Sequence, residues 1–179
     1  MRKVVVSQFV TLDGVMEAPH EWSFPYWSDE IAKFKLEELM GSDALLLGRI
    51  TYQGFADAWP SRTDEEGFAD RINSFPKYVV STTLREASWN NSSVIRRNVT
   101  GEIALLKQQD GQDILINGSC QLVNSLVNDN LIDEYRLLVY PIVLGKGLKL
   151  FKDGVKTNLK LVESTPYLSG VVRLIYQPA

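Results

Sequence analysis

The sequence predicts an α/β fold: a three-layer domain with a mainly parallel central sheet, an antiparallel C-terminal edge and helices on both faces. Three observations carry this prediction. Short β-branched and aliphatic runs alternate with longer stretches of helical period. Ala44–Leu47 is apolar at every position, as a strand covered on both faces requires. Near the C-terminus, Leu159–Glu163 and Val171–Tyr176 are separated by Pro166 and Ser169–Gly170, a turn signal that folds two strands into an antiparallel pair.

The elements follow in order. Lys3–Val10 reads as the first strand, closed by the turn pair Asp13–Gly14, and a polar and aromatic loop runs on through Pro19, Trp22, Pro25 and Trp27. Ser28 or Asp29 then caps a helix reaching about Met40, and Gly41 is placed to end it. After the Ala44–Leu47 strand, Gly48 opens a helix with Arg49, Thr51 and Tyr52 in its first turns. Tyr78–Ser81 repeats the strand theme and runs into Thr82–Thr83. A helical stretch from about Thr100 to Gln108 leads to the strand Asp113–Ile116, after which Asn117–Gly118–Ser119 opens a helix through Leu126. Glu134–Val139 is a further strand and Pro141–Lys149 a glycine-bearing loop. No repeat, low-complexity tract or interdomain linker interrupts the chain, so residues 1–179 are expected to form one domain.

Composition narrows the functional classes. At 179 residues the chain can bury a sizeable core without disulfides or metal. Nineteen Lys and Arg against 22 Asp and Glu give a net charge of -3 with no long run of one sign, which argues against nucleic acid or anionic lipid as a partner. No stretch approaches the roughly 20 apolar residues needed to span a bilayer. Met1–Gln8 is too short an apolar run for a signal-peptide core, so a cytoplasmic location is expected. Cys120 is the single cysteine and His20 the single histidine, which excludes an intrachain disulfide and a two-histidine zinc site. His20 sits in a loop-like segment and reads as a solvent-facing imidazole; Cys120, with no second imidazole to act as a base, reads as a small packed thiol.

Three strand ends run into small or hydroxyl residues: Gly48–Arg49–Ile50–Thr51, Ser81–Thr82–Thr83 and Asn117–Gly118–Ser119. Exposed amides at such junctions, reinforced by the helix dipole, bind anions and gather along one edge of an open α/β sheet. Gly, Ser and Thr also serve there simply as caps; the triple occurrence and the embedded arginine favour phosphates. Arg49 can offer a bidentate contact to a ribose 2′-phosphate, with the hydroxyls of Ser81–Thr83 as further donors. Neither the Gly-x-Gly-x-x-Gly fingerprint nor a Gly-x-x-x-x-Gly-Lys-Ser/Thr phosphate loop is present.

Thr11–Leu12–Asp13–Gly14, Leu47–Gly48–Arg49–Ile50–Thr51–Tyr52, Gly118–Ser119, Leu131–Ile132–Asp133–Glu134–Tyr135 and Pro141–Ile142–Val143–Leu144–Gly145–Lys146–Gly147 together carry a resemblance. In this order they resemble the dihydrofolate-reductase-like superfamily, in the branch of the C-terminal reductase domain of the bifunctional riboflavin-biosynthesis protein. The resemblance implies an NADPH-binding fold and a homodimer formed through the C-terminal strands. By that similarity Gly48, Arg49 and Thr51 would meet the adenosine-phosphate end of the cofactor, Ser81 and Thr82 the 2′-phosphate, and Gly118, Ser119, Gln121 and Leu122 the pyrophosphate. Two departures stand out. Asn117 replaces one of two adjacent glycines, which could alter the backbone's approach to the diphosphate, and Thr11 replaces the usual serine while keeping a hydroxyl.

On the substrate side, hydride chemistry belongs to the nicotinamide, and the protein must orient rings, exclude water and help a proton arrive. Asp29 resembles the acidic residue on the first helix of dihydrofolate reductases, although Asp is also a favoured first-turn residue. Asp13 is a second acidic candidate, in a pair that more often simply turns. Trp27 and Tyr52, with Trp22 and Trp59, could stack on a flat heterocycle or fill the core. Asp133–Glu134 reads as structural or near a dimer contact. The expected activity is NADPH-dependent reduction of a small nitrogen heterocycle, either a pteridine or a ribosylaminouracil-phosphate-like pyrimidine. The loop Val15–Trp27 contains no Lys or Arg to grip a ribose phosphate. The alternative is a non-catalytic dimer that binds a nucleotide or flavin.

Overall fold

The computed structural model describes residues 1–179. Eight strands form one sheet: β1 (Val4–Thr11), β2 (Ser42–Gly48), β3 (Lys77–Val80), β4 (Ser92–Ile95), β5 (Asp113–Ile116), β6 (Glu134–Tyr140), β7 (Leu159–Pro166) and β8 (Val172–Pro178). Their spatial order is β4-β3-β2-β5-β1-β6-β8-β7. The first six run parallel, and β8 and β7 add the antiparallel edge. Five helices pack on this sheet: α1 (Asp29–Met40), α2 (Arg49–Ala58), α3 (Phe68–Ser74), α4 (Val99–Gln108) and α5 (Cys120–Asn128).

Two-residue periodicity decides which strand residues meet which helices. Val5, Leu45, Leu47, Val79 and Leu115 point to one face, where they pack with Leu39, Tyr52, Ile72 and Phe75. Val4, Val6, Ala44, Leu46, Ile114 and Ile116 point to the other and meet Ile103 and Leu106 of α4 and Leu122, Val123, Leu126 and Val127 of α5. A third cluster, Trp22, Ile31, Phe34, Leu138, Tyr140, Tyr167 and Val171, joins the start of α1 to the antiparallel side. Each such side chain contributes about 1.5–3 kcal/mol on full burial, so α1 is held by Ile31, Phe34 and Leu39 despite its charged surface.

The helix ends follow their caps. Ser28 Oγ accepts from Ile31 N–H, so serine supplies the cap of α1 and Asp29 occupies the first turn; Gly41 ends the helix in right-handed conformation. Ser119 caps α5 in the same way, accepting from Leu122 N–H. Two elements were not expected. The seven-residue α3 has no apolar repeat long enough to read, and Asp64 starts it by accepting from Phe68 and Ala69 N–H at 2.8 and 2.6 Å. Edge strand β4, Ser-Ser-Val-Ile, is too short and too polar to stand out, yet it extends the sheet beyond β3. The Pro19–Glu21 and Phe24–Tyr26 segments of the aromatic loop form single 3₁₀ turns. No helix is long and apolar enough to cross a membrane.

Candidate functional site

Because β1 to β6 are parallel, their carboxyl ends lie along one edge, and the three junctions expected to bind phosphate arrive there on adjacent strands. Gly48 of β2 is in register with Val80 of β3, which is in register with Ile95 of β4. On the other side of β2, β5 delivers Asn117–Gly118–Ser119. Gly48 N–H donates to Gly118 O at 3.3 Å, joining two of the junctions directly.

The two glycines are required by this approach. A Cβ on Gly118 would lie 2.5 Å from Thr51 Oγ1, and its φ of +124° disfavours any L side chain; a Cβ on Gly48 would overlap Ser119 Oγ. The Gly118–Ser119 peptide is cis. Thr51, Gly48, Gly118 and Ser119 thus form one close-packed backbone cradle at the starts of α2 and α5, where amides and helix dipoles favour an anion. Arg49 is exposed beside it, its guanidinium donating to Gln53 Oε1 at 3.2 Å. Asn117 does not obstruct the cradle: its Nδ2 reaches back toward Ser7 O, at 3.5 Å.

Other expected cofactor residues divide by atom. Ser81 is buried, and its Oγ accepts from Thr83 and Leu84 N–H at 3.2 and 2.9 Å, building the turn that leaves Thr82 exposed. The Ser81 hydroxyl also lies 3.5 Å from Thr83 Oγ1, where either oxygen can donate. Gln121 is exposed on the first turn of α5. Leu122 differs from expectation in its side chain, which is 5% exposed and packs into the core, while its amide donates to the Ser119 cap at 3.4 Å.

On the substrate side, Tyr52 also requires correction. It is 2% exposed, its hydroxyl accepts from Trp89 N–H at 2.9 Å, and its ring packs 6.2 Å from that of Trp89, beneath α2. Trp22 is buried edge-on to Tyr140, and Trp59 packs between Phe55 and Phe68. Of the four aromatic candidates only Trp27 is an open surface, 47% exposed with its ring 6.4 Å from that of Phe9 on β1. Asp29 follows Trp27 by two residues and is exposed at the start of α1.

Asp13 is a clamp. Its carboxylate accepts from Thr11 Oγ1 at 2.6 Å, from Gly145 N–H at 2.8 Å and from Leu144 N–H at 3.3 Å, tying the β1 turn to the glycine-bearing loop. The Thr11 hydroxyl bond, followed by the Gly145 amide, holds its pKa down to about 2. Thr11 Oγ1 also accepts from Val15 N–H, so the threonine fills a built position. Asp133 is structural as well, accepting from Val4 N–H and pairing with Lys107 at 2.7 Å.

Sequence reasoning missed a buried ionic network between α1 and the sheet. Glu38, with a fully buried side chain, accepts from Ser7 Oγ at 2.8 Å and pairs with Lys35; Lys35 also donates to Ser7 Oγ at 2.7 Å. Arg136 lies 3.8 Å from Glu38 and pairs with Glu134 at 2.7 Å and Asp113 at 3.2 Å. The only signal in the sequence was charge at positions 35 and 38, on the inward side of an otherwise apolar helix face.

A mainly parallel sheet with an antiparallel C-terminal pair, and glycine-bearing junctions on adjacent strand ends, is a dihydrofolate-reductase-like fold. Dihydrofolate reductase from Enterococcus faecalis, solved in complex with NADP(H), shares this fold with a TM-score of 0.67, over 98% of this chain and 96% of that one, at 14% identity. The chain belongs to the RibD C-terminal domain family, whose model matches residues 2–173. Among its relatives is the uncharacterised protein YyaP of Bacillus subtilis, 32% identical over 98% of this chain and 94% of that protein. A pyrimidine reductase-like protein from Corynebacterium diphtheriae superposes with a TM-score of 0.72 over 99% of this chain and 92% of that one, at 13% identity. The deaminase/5-amino-6-(5-phosphoribosylamino)uracil reductase of Thermotoga maritima matches with a TM-score of 0.70 and 16% identity, this chain covering 57% of it.

Proposed function

We propose that this protein is an NADPH-dependent reductase of a small nitrogen heterocycle, of pteridine or riboflavin-pathway pyrimidine type. The observation that carries the reading is the cradle of Gly48, Thr51, Gly118 and Ser119, in which two glycines let the β2 and β5 junctions pack against each other and bring the amino ends of α2 and α5 together. The residues fit a dinucleotide: amides of Gly118 and Ser119 and the first turn of α5, with Gln121, would hold the diphosphate, and Arg49, Ser81 and Thr82 would face the 2′-phosphate. The nicotinamide, when bound, supplies a hydride. The chain's part is to seat the substrate ring against Phe9 and Trp27 and to deliver a proton, for which exposed Asp29 beside Trp27 is the candidate acid.

The ring site is aromatic, and a neighbouring cation, Lys35, 5.8 Å from the Phe9 centroid, is already engaged by Ser7 and Glu38. A substrate without a phosphate suits this better than a ribose phosphate. A homodimer belongs to the same proposal: β7 is an edge strand with Leu161 and Val162 about half exposed, at 48% and 53%. Light scattering showing a monomer at working concentration would remove it.

The deciding experiment titrates the purified chain with NADPH and NADH, following nicotinamide fluorescence and thermal stability, then screens pteridines and aminouracils for cofactor oxidation. Tight binding that favours NADPH, with oxidation on at least one heterocycle, is expected. Binding without turnover across the panel would leave a nucleotide-binding protein, and no binding of either nucleotide would overturn the cofactor reading.

A further inference from the structure

Helix α1 lays a charged side chain against the aromatic surface of the ring site. The two-residue period of β1 puts Ser7 and Phe9 on the same face of the sheet, the face that α1 covers. Lys35 of α1 reaches both: its Nζ donates to Ser7 Oγ at 2.7 Å, pairs with the buried Glu38 carboxylate, and stands 5.8 Å from the centroid of the Phe9 ring. The Phe9 ring lies 6.4 Å from that of Trp27, so the ammonium marks the inner end of an aromatic surface whose outer end is Trp27. The glycine cradle is one strand away: Asn117 follows Ile116, which is in register with Val6, and reaches Ser7 O with its Nδ2 at 3.5 Å.

An ammonium has three N–H donors and no acceptor. Ser7 and Glu38 take two of them, and the third has no acceptor in the protein. The Lys35 side chain keeps 13% of its surface exposed, whereas that of Glu38 keeps none, so a bound molecule meets the cation and not its counter-ion. A single free donor is fewer than a phosphate dianion takes, but it suits one ring carbonyl. A ring amino group brought to the same place would set donor against donor, and a site that offers a hydrogen bond discriminates strongly against a ligand that leaves it unmade.

We propose that Lys35 is a specificity-determining residue of the ring site, whose third N–H selects a heterocycle that turns an oxo-substituted edge toward Ser7 and rejects one that turns an amino-substituted edge there. The inference rests on the reading of Phe9 and Trp27 as the ring site and deepens it, from a small nitrogen heterocycle to an oxo-bearing one.

The test measures, by calorimetry on the full chain, the affinity for two flat rings of the same size, pteridine-2,4-dione and 2,4-diaminopteridine, with NADPH titrated separately. Lys35→Met removes the donor, and Lys35→Arg keeps one. Lys35→Met/Glu38→Leu removes the donor without leaving Glu38 unpaired, so it decides the matter if the single variant does not fold. Lys33→Met, at an exposed position on the same helix, is the control, and each variant's melting temperature verifies folding. The native chain should bind the dione at least tenfold more tightly than the diamine. Lys35→Met and the double variant should lose about 10- to 100-fold for the dione with the diamine within twofold, and Lys35→Arg should keep the preference for the dione. A merely structural role for Lys35 would weaken both rings together and leave their ratio alone. If the native chain binds either ring but prefers the diamine, or if the folded variants lacking Lys35 retain the preference for the dione, the inference is overturned while the ring site stands. If neither ring binds the native chain, the ring site and the inference fall together, and the NADPH titration still reports on the cofactor reading.

Discussion

Replacing Glu38 by alanine tests whether the buried ionic network fastens α1 to the sheet. The carboxylate has no solvent exposure and faces two cations, Lys35 directly and Arg136 at 3.8 Å, besides accepting from Ser7. Removing one member of a buried ion pair costs about 3–5 kcal/mol, because the remaining charge stays desolvated. Here the lower end applies: Arg136 retains Glu134 and Asp113, and the Lys35 side chain is 13% exposed, so water can reach part of it. A loss of about 3 kcal/mol corresponds to roughly 6–12 °C in melting temperature for a chain of this size. Urea denaturation at neutral pH gives the free energy, and a thermal scan the shift. The double variant Lys35→Met/Glu38→Leu should recover much of that loss, since replacing both partners by apolar groups of similar volume leaves no uncompensated charge from that pair. A Glu38→Ala protein within about 1 kcal/mol of the native chain, or a double variant less stable than the single one, would refute the reasoning.

Three further outcomes are expected. Gly118→Ala places a Cβ 2.5 Å from Thr51 Oγ1 at a φ of +124°, so strain of about 1–3 kcal/mol should accompany at least a tenfold loss of NADPH affinity; unchanged binding would remove the glycine cradle from the site. Desolvation by burial lowers the Lys77 pKa from 10.5 to about 8, even though its ammonium donates to the carbonyls of Asn73, Phe75 and Asn90, so between those values the unfolded chain holds the proton that the folded chain releases. Stability should therefore rise with pH across that window, be fully gained above it and be lost as pH falls through about 8; Lys77→Met should flatten the slope, and parallel curves would contradict this. Asp13→Asn should speed hydrogen exchange at Gly145 by about tenfold or more while leaving NADPH affinity unchanged, because the carboxylate acts on the loop amides. A loss of turnover with unaltered exchange at Gly145 would instead restore Asp13 as a catalytic candidate.

The parts of this molecule that were legible in its sequence are those whose physics is local. Ala44–Leu47 is apolar because both its faces are covered, and Asn117–Gly118–Ser119 reads as a helix start because the serine makes its cap three residues ahead. What pattern could not supply was the side of an element on which a residue falls. Tyr52 and Leu122 lie within a turn of the glycine cradle in sequence, yet the helical period turns both inward, so neighbours along the chain part company in space. The ionic network was hidden for the opposite reason: Ser7, Glu38 and Arg136 are far apart along the chain and meet only when β1 pairs with β6 beneath α1. Edge strand β4 combines both difficulties. Its four residues are only partly covered, so they lack the apolar continuity of a central strand, and its meaning comes entirely from register with β3. Register with β3 sets Arg96 beside the Ser81 turn, where its guanidinium donates to Leu84 O and Arg85 O and fastens the loop after Thr83, a contact that only the assembled sheet reveals.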